Sequence, residues 1–182
     1  MMKLRLTAIL ILAILGVIAL SCGDDYKTPE DIKNQVAFLD ARSALSVFPF
    51  GTKPIYMFFN AEWCHYCNSM KKEMFTRPEI IKYMNEHFTC ISVMPESLGT
   101  FTFNGEEVTI NEFMKALKFQ GYPTHYFFAP DGELKGVRVG YIELLDFKQL
   151  LKYIGEGYVY KQNFATFLQL PESRLDTVYG EF

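Results

Sequence analysis

The sequence predicts an α/β domain, on three observations. Apolar runs of strand length, Ile55–Phe59 and Thr89–Met94, alternate with amphipathic stretches of helical period. Asn104-Gly105 sits between alternating apolar positions, the strongest short signal for a hairpin. A later pair of strand-like segments, His125–Ala129 and Leu134–Val139, is joined by the turn Pro130-Asp131-Gly132, which makes that pair antiparallel.

Taken in chain order, Thr28-Pro29-Glu30-Asp31 has the features of a helix start: a Thr cap, proline at the first helical position and acids in the first turn. The pattern predicts a helix through Ala44 with Ile32, Val36, Leu39 and Ser43 along one side, ended by Phe48-Pro49-Phe50-Gly51. Lys53-Pro54 leads into Ile55–Phe59, a run suited to burial on both faces. Asn68–Phe75 reads as a helix, Thr76-Arg77-Pro78-Glu79 interrupts it, and Ile80–Phe88 resumes it before the second strand. A right-handed crossover makes the two strands parallel neighbours. After the hairpin, Thr109-Ile110-Asn111-Glu112 is a capping box opening a helix with Phe113, Leu117 and Phe119 as its stripe, ended by Gly121. Glu143–Ile154 is the last amphipathic helix, with Leu144, Phe147, Leu150, Leu151 and Ile154 inward. Tyr158, Tyr160, Phe164, Phe167 and Leu168 make the tail apolar enough to pack back.

A chain of 182 residues fits one domain with terminal additions. Its formal charge of −3 leaves no basic stripe to displace counterions, which argues against a nucleic-acid partner. There is no internal repeat and no glycine-rich phosphate loop. Lys3 and Arg5 precede an apolar run from Leu6 to Leu20 that is short for a bilayer span, and Ser21-Cys22-Gly23 follows. This resembles a bacterial lipoprotein signal, in which residues 1–21 are removed and Cys22 is lipidated. Ala19 and Leu20 depart from it, since such signals more often carry leucine and then a small residue there. An uncleaved anchor or a plain secretory signal is the other reading. Removal leaves 16 basic against 21 acidic residues, a formal charge of −5. The expectation is an exported chain held to a membrane by its N-terminal lipid, in a periplasmic or other extracytoplasmic space where thiols tend to oxidise.

With Cys22 set aside, Cys64, Cys67 and Cys90 remain. Cys64 and Cys67 lie in Glu62-Trp63-Cys64-His65-Tyr66-Cys67, directly after a strand. If a helix starts near Cys64, residues i and i+3 share a face with Cβ atoms about 5 Å apart, close enough for a disulfide after small adjustment. Cys64 then meets the free N–H groups and positive dipole end of the helix, which favour a thiolate, while Cys67 lies a turn further in. One thiol is suited to attack and the other to resolve a mixed disulfide. Structural zinc is the competing chemistry. It needs four ligands, yet there is no second CxxC, His65 points away from the cysteines, and His87 and His125 lack ligand spacing. An inert pair is the third reading. Cys90, in a strand-like run, reads as a small buried hydrophobe.

Phe58-Phe59-Asn60-Ala61-Glu62-Trp63-Cys64-His65-Tyr66-Cys67 resembles the active-site segment of the thioredoxin superfamily, and Gly121-Tyr122-Pro123-Thr124 resembles its cis-proline loop. Asp131-Gly132 and Val139-Gly140-Tyr141 are similar to its closing hairpin. Within the superfamily, the chain looks nearest to exported thioredoxin-like proteins of the sulfur-oxidation type, which also carry a hairpin and helix before the cis-proline. The resemblance implies a thioredoxin fold: a central mixed sheet flanked by helices, with an N-terminal helix and a hairpin-helix insertion. The expected organisation is signal 1–21, linker and helix 22–52, thioredoxin-like domain 53–157 and a packed extension 158–182. The resemblance also implies a redox-active Cys64–Cys67 disulfide, with Cys64 as the exposed nucleophile and Cys67 as the resolving thiol. Around them would lie Glu62, Trp63, His65 and Tyr66, with a substrate strand held at Tyr122, cis-Pro123 and Thr124. Tyr66, Tyr122 and Tyr141 are candidates to line that groove. No cofactor or metal is implied; protein disulfides would be the substrates and a membrane electron donor the partner.

Two departures stand out. Phe58 occupies the position where thioredoxin carries a buried acid, so Glu62 or a water would have to substitute. His65-Tyr66 replaces glycine-proline; a cationic His65 would make the pair more oxidising, whereas a neutral one would do little. Reduction of protein disulfides is the first expectation, oxidation or isomerisation the second. A non-catalytic binding protein using the Pro123 groove is the reading from another class.

Overall fold

The computed structural model describes residues 34–174; the segment 1–21, Cys22 and the helix start at Thr28 lie outside the described residues. A five-stranded mixed sheet has the order β1-β3-β2-β6-β7: β1 (Phe38–Asp40), β3 (Thr89–Val93), β2 (Ile55–Phe59), β6 (Thr124–Phe128) and β7 (Leu134–Val139). β3 runs parallel to β1 and β2, while β6 is antiparallel to β2 and β7 to β6. β4 (Thr100–Phe103) and β5 (Glu106–Thr109) form a separate hairpin whose reversal puts Asn104 and Gly105 at φ 52° and 82°. Asn and Gly tolerate that left-handed backbone better than other residues, which is why the pair reads as a turn.

Every residue of β2 and β6 is buried, so their side chains divide between two cores, one on each face. Tyr56, Phe58 and Phe127 face α2 (His65–Ser69), its π-helical continuation Met70–Met74, α3 (Pro78–His87) and α6 (Leu144–Gly155) through Cys67, Met70, Phe75, Ile80, Met84 and Phe147. Ile55, Met57, Phe59 and Tyr126 face α1 (Ala41–Ser46) and α5 (Ile110–Ala116) through Leu45 and Phe113. The helix α4 (Pro95–Leu98) links β3 to the hairpin. The short α7 (Phe164–Phe167) brings Phe167, fully buried, onto Tyr153 and Tyr158, with ring centroids 5.4 and 4.9 Å away.

Two expectations are corrected. Of the helix expected through Ala44, the described residues before Ala41 are not helical: Phe38–Asp40 is strand β1, and α1 begins only at Ala41. Phe38 packs on Phe75 at 5.2 Å while Leu39 remains 42% exposed and Ser43 is exposed, so neither follows the predicted stripe. Pairing with β3 and the partial burial of Phe38 outweigh a helical pattern of modest propensity. Asp40 then caps α1, its carboxylate accepting from the Ser43 N–H at 2.9 Å. The capping box at Thr109 and Glu112 is present, but α5 ends at Ala116, and Lys118 at φ 53° makes the reversal assigned to Gly121.

Candidate active site around the Cys64–Cys67 disulfide

The chain leaves β2 at Asn60, which is fully buried and donates through its side-chain amide to Ser92 Oγ at 2.9 Å. That bond ties the carboxyl end of β2 to β3 and aims the following turn. Cys64 ends the turn as the N-cap of α2, in extended backbone (φ −76°, ψ 109°). Its Sγ accepts the Cys67 N–H at 3.1 Å. The sulfur thus occupies the place where a Ser or Asp oxygen normally satisfies a free helix N–H, and a negative charge there is favoured by the same group and by the helix dipole. Cys64 and Cys67 are joined in a disulfide with a Cα–Cα separation of 5.2 Å. Cys67 is fully buried and Cys64 only 5% exposed, so the expected exposed nucleophile is recessed, reachable at its rim alone.

Aromatic rings flank the disulfide. Trp63 is 72% exposed and meets the Tyr122 ring edge-on at 5.5 Å. Tyr66, 60% exposed, lies 6.4 Å from Tyr141. Each inner tyrosine is anchored: Tyr122 donates to Glu96 at 3.2 Å and Tyr141 to Glu73 at 2.8 Å. Partial burial first, and the neighbouring carboxylate second, push both phenols up to about 12, so they remain protonated donors. His65 is exposed, its ring 5.7 Å from Tyr66. Glu62 is exposed beside it and lines, with Trp63, Met94, Glu96 and Ser97, a cleft of about 240 Å³.

The Tyr122–Pro123 peptide is cis. The Pro123 carbonyl accepts from Gly140 N–H at 2.8 Å. Thr124, expected to hold substrate, is fully buried, and its hydroxyl donates back to the Gly121 carbonyl. Its side chain shapes the loop and presents nothing to a ligand.

Below the disulfide the floor is apolar. Phe58 is 1% exposed, with the Phe75 and His125 rings at 5.1 and 5.3 Å. Glu62, exposed at the rim, does not occupy the place of a buried acid. The polar group on this floor is instead the pair Tyr56 and His125: the sequence marks His125 as a packed strand residue near Pro123, but not its pairing with Tyr56. The Tyr56 hydroxyl donates to His125 Nδ1 at 2.7 Å, and His125 Nε2 donates to the Gly140 carbonyl at 3.1 Å. A carbonyl can only accept, which fixes the tautomer. Burial pulls His125 down to about 3, so the ring is neutral. The available signal was two polar side chains at inward positions of otherwise apolar strands. Cys90, on β3, is a free buried thiol whose pKa burial pushes up. Among the described residues no group of three or more His, Cys, Asp or Glu is arranged to hold a metal.

A mixed sheet with a CxxC disulfide at a helix tip, facing a cis-proline loop, defines the class of thioredoxin-fold proteins. The model of a thioredoxin-like domain matches residues 41–155, and the chain belongs to this family. No curated protein sequence matches it. Among solved structures it is similar to a thioredoxin-fold protein from Helicobacter pylori, at 19% identity and TM-score 0.59 over 65% of this chain and 83% of that one. A thioredoxin from Thermus thermophilus is similar at 20% identity and TM-score 0.51, covering 66% and 87% of the two chains. The DsbH oxidoreductase follows at 17% identity and TM-score 0.49, covering 75% and 95%. The first two likenesses are of fold alone.

Proposed function

We propose that the chain is an extracytoplasmic thiol–disulfide oxidoreductase that reduces protein disulfides. In the reduced form, the Cys64 thiolate attacks one sulfur of a substrate disulfide, and the other substrate sulfur leaves as a thiolate. The Cys67 thiolate then attacks Cys64 Sγ, the second substrate thiolate departs, and the Cys64–Cys67 disulfide remains. The substrate gains two electrons, and a dithiol donor at the membrane must return them for the next cycle. The observation that carries this reading is the Cys64 sulfur accepting a helix-tip N–H at 3.1 Å. A binding module has no use for two thiols placed in this way.

Trp63, Tyr66, Tyr122 and the Pro123 loop are assigned to substrate contact, and the exposed His65 to tuning of the thiolate. The basic and apolar N-terminal run ending at Cys22 supports export and lipid anchoring. The β4–β5 hairpin with α5, inserted before Pro123, supports the finer likeness to the sulfur-oxidation type.

Insulin reduction by the full chain with a dithiol donor tests the reading. The wild type is expected to precipitate insulin B chain; activity that survives Cys64→Ser overturns the assignment. The equilibrium potential of the pair tests the direction. A value near about −270 mV fits a reductase, and one near about −120 mV an oxidase.

A further inference from the structure

We propose that His125 is a positioning residue: its ring clamps Gly140 and thereby sets the two arms of the substrate rim, the Pro123 loop and Tyr141. The docking role of that rim rests on the function proposed above, but the clamp itself is geometric. His125 lies two residues after Pro123 on β6 and is fully buried. Both backbone polar groups of Gly140 are held by the start of β6. Its N–H goes to the Pro123 carbonyl at 2.8 Å and its carbonyl to His125 Nε2 at 3.1 Å. Gly140 has φ 92°, a left-handed backbone that other residues adopt at a cost, so the loop leaves β7 in one direction.

The next residue is Tyr141, whose ring stands 6.4 Å from Tyr66 and whose hydroxyl reaches Glu73 at 2.8 Å. Holding Gly140 therefore couples the cis-proline side of the disulfide to the Tyr66 side. The Tyr56 hydroxyl, 2.7 Å from Nδ1, makes Nε2 the donor and so completes the clamp from the centre of the sheet. Phe58 and Phe147 pack around the imidazole at 5.3 and 6.2 Å and leave it no alternative partner on those sides. With both nitrogens committed, His125 does not act as a proton acceptor for Cys67. Its effect on the reaction passes through loop geometry.

The variants are His125→Phe, which keeps ring bulk and loses both bonds, His125→Gln, which can still donate to Gly140, and Tyr56→Phe. Each full-length protein is assayed on insulin and on the small disulfide 5,5′-dithiobis(2-nitrobenzoate), which needs no rim. His125→Phe is expected to raise KM for insulin about tenfold with kcat within about twofold, the effect on the rim of releasing the Gly140 carbonyl. Reduction of the small disulfide should be unchanged, and His125→Gln should recover most of the insulin KM. Hydrogen exchange at the Gly140 amide, bonded to the Pro123 carbonyl, should accelerate in His125→Phe while α3 amides do not. Equal losses on both substrates, an unchanged insulin KM, or unaltered exchange at Gly140 overturn the clamp. If His125→Phe does not fold, Tyr56→Phe carries the test: a smaller shift in the same sense is required. A wild type that leaves insulin intact sinks the functional reading instead, and the exchange measurement then decides the clamp alone.

Discussion

The Cys64 sulfur has two partners, Cys67 Sγ by covalent bond and Cys67 N–H by hydrogen bond at 3.1 Å. Reduction removes the first and leaves the second free to stabilise a thiolate. Cys64 in the reduced protein should therefore alkylate with an apparent pKa below the free-cysteine value of about 8.5, read by iodoacetamide trapping and mass spectrometry. Cys67→Ser should accumulate a mixed disulfide with insulin, visible as an added chain mass on a non-reducing gel. His125 gives a pH signature. Its folded pKa of about 3 lies below the ordinary 6.5, so between these values the unfolded chain binds a proton that the native chain does not. The contribution to stability is complete above pH 6.5 and is lost as pH falls toward 3, at about 1.4 kcal/mol per pH unit. Urea unfolding of wild type against His125→Gln across that window should show the variant with the flatter dependence. The cysteines and Pro123 were legible because their spacing to neighbours is local. The Tyr56–His125 pair was not, because residues 69 apart meet only through the β2–β6 register.

Among the elements, α5 was read down to its first residue because a capping box is written in four consecutive side chains. Thr109→Ala removes the hydroxyl that accepts from the Glu112 N–H at 3.3 Å and should cost about 1 kcal/mol in urea unfolding. Insulin reduction should be untouched, since α5 packs on the opposite face of the sheet from Cys67. The failure at β1 has the opposite cause. A strand of three residues is too short to show a period, and Val36, Leu39 and Ser43 happen to match a helical one. What makes it a strand is the edge of β3, with Phe38 opposite Cys90 and Asp40 opposite Ser92, which no local pattern encodes.

At the scale of the molecule, the thioredoxin-like match ends at residue 155, yet the described chain continues to Arg174 and closes over α6. Phe164 meets Tyr153 edge-on at 5.2 Å and Phe167 lies tilted against it at 5.4 Å, and the Tyr153 hydroxyl donates to the Gln162 carbonyl at 2.6 Å. The aromatic tail signalled this packing in the sequence, while its partner surface required the fold. Phe167→Ala empties a fully buried site and should destabilise the protein by about 3 kcal/mol or more in chemical denaturation, without changing the potential of the disulfide.

The burial of Cys90 in β3, between β1 and β2, has one more result. Of the pairings open to the three cysteines among the described residues, only Cys64–Cys67 is made, and Cys90 is sealed in β3 at 2% exposure. Among the described cysteines, a folded molecule that is reduced and reoxidised is therefore expected to return to the same bond. Scrambled isomers that involve Cys90 can arise only from chains that have already opened their core.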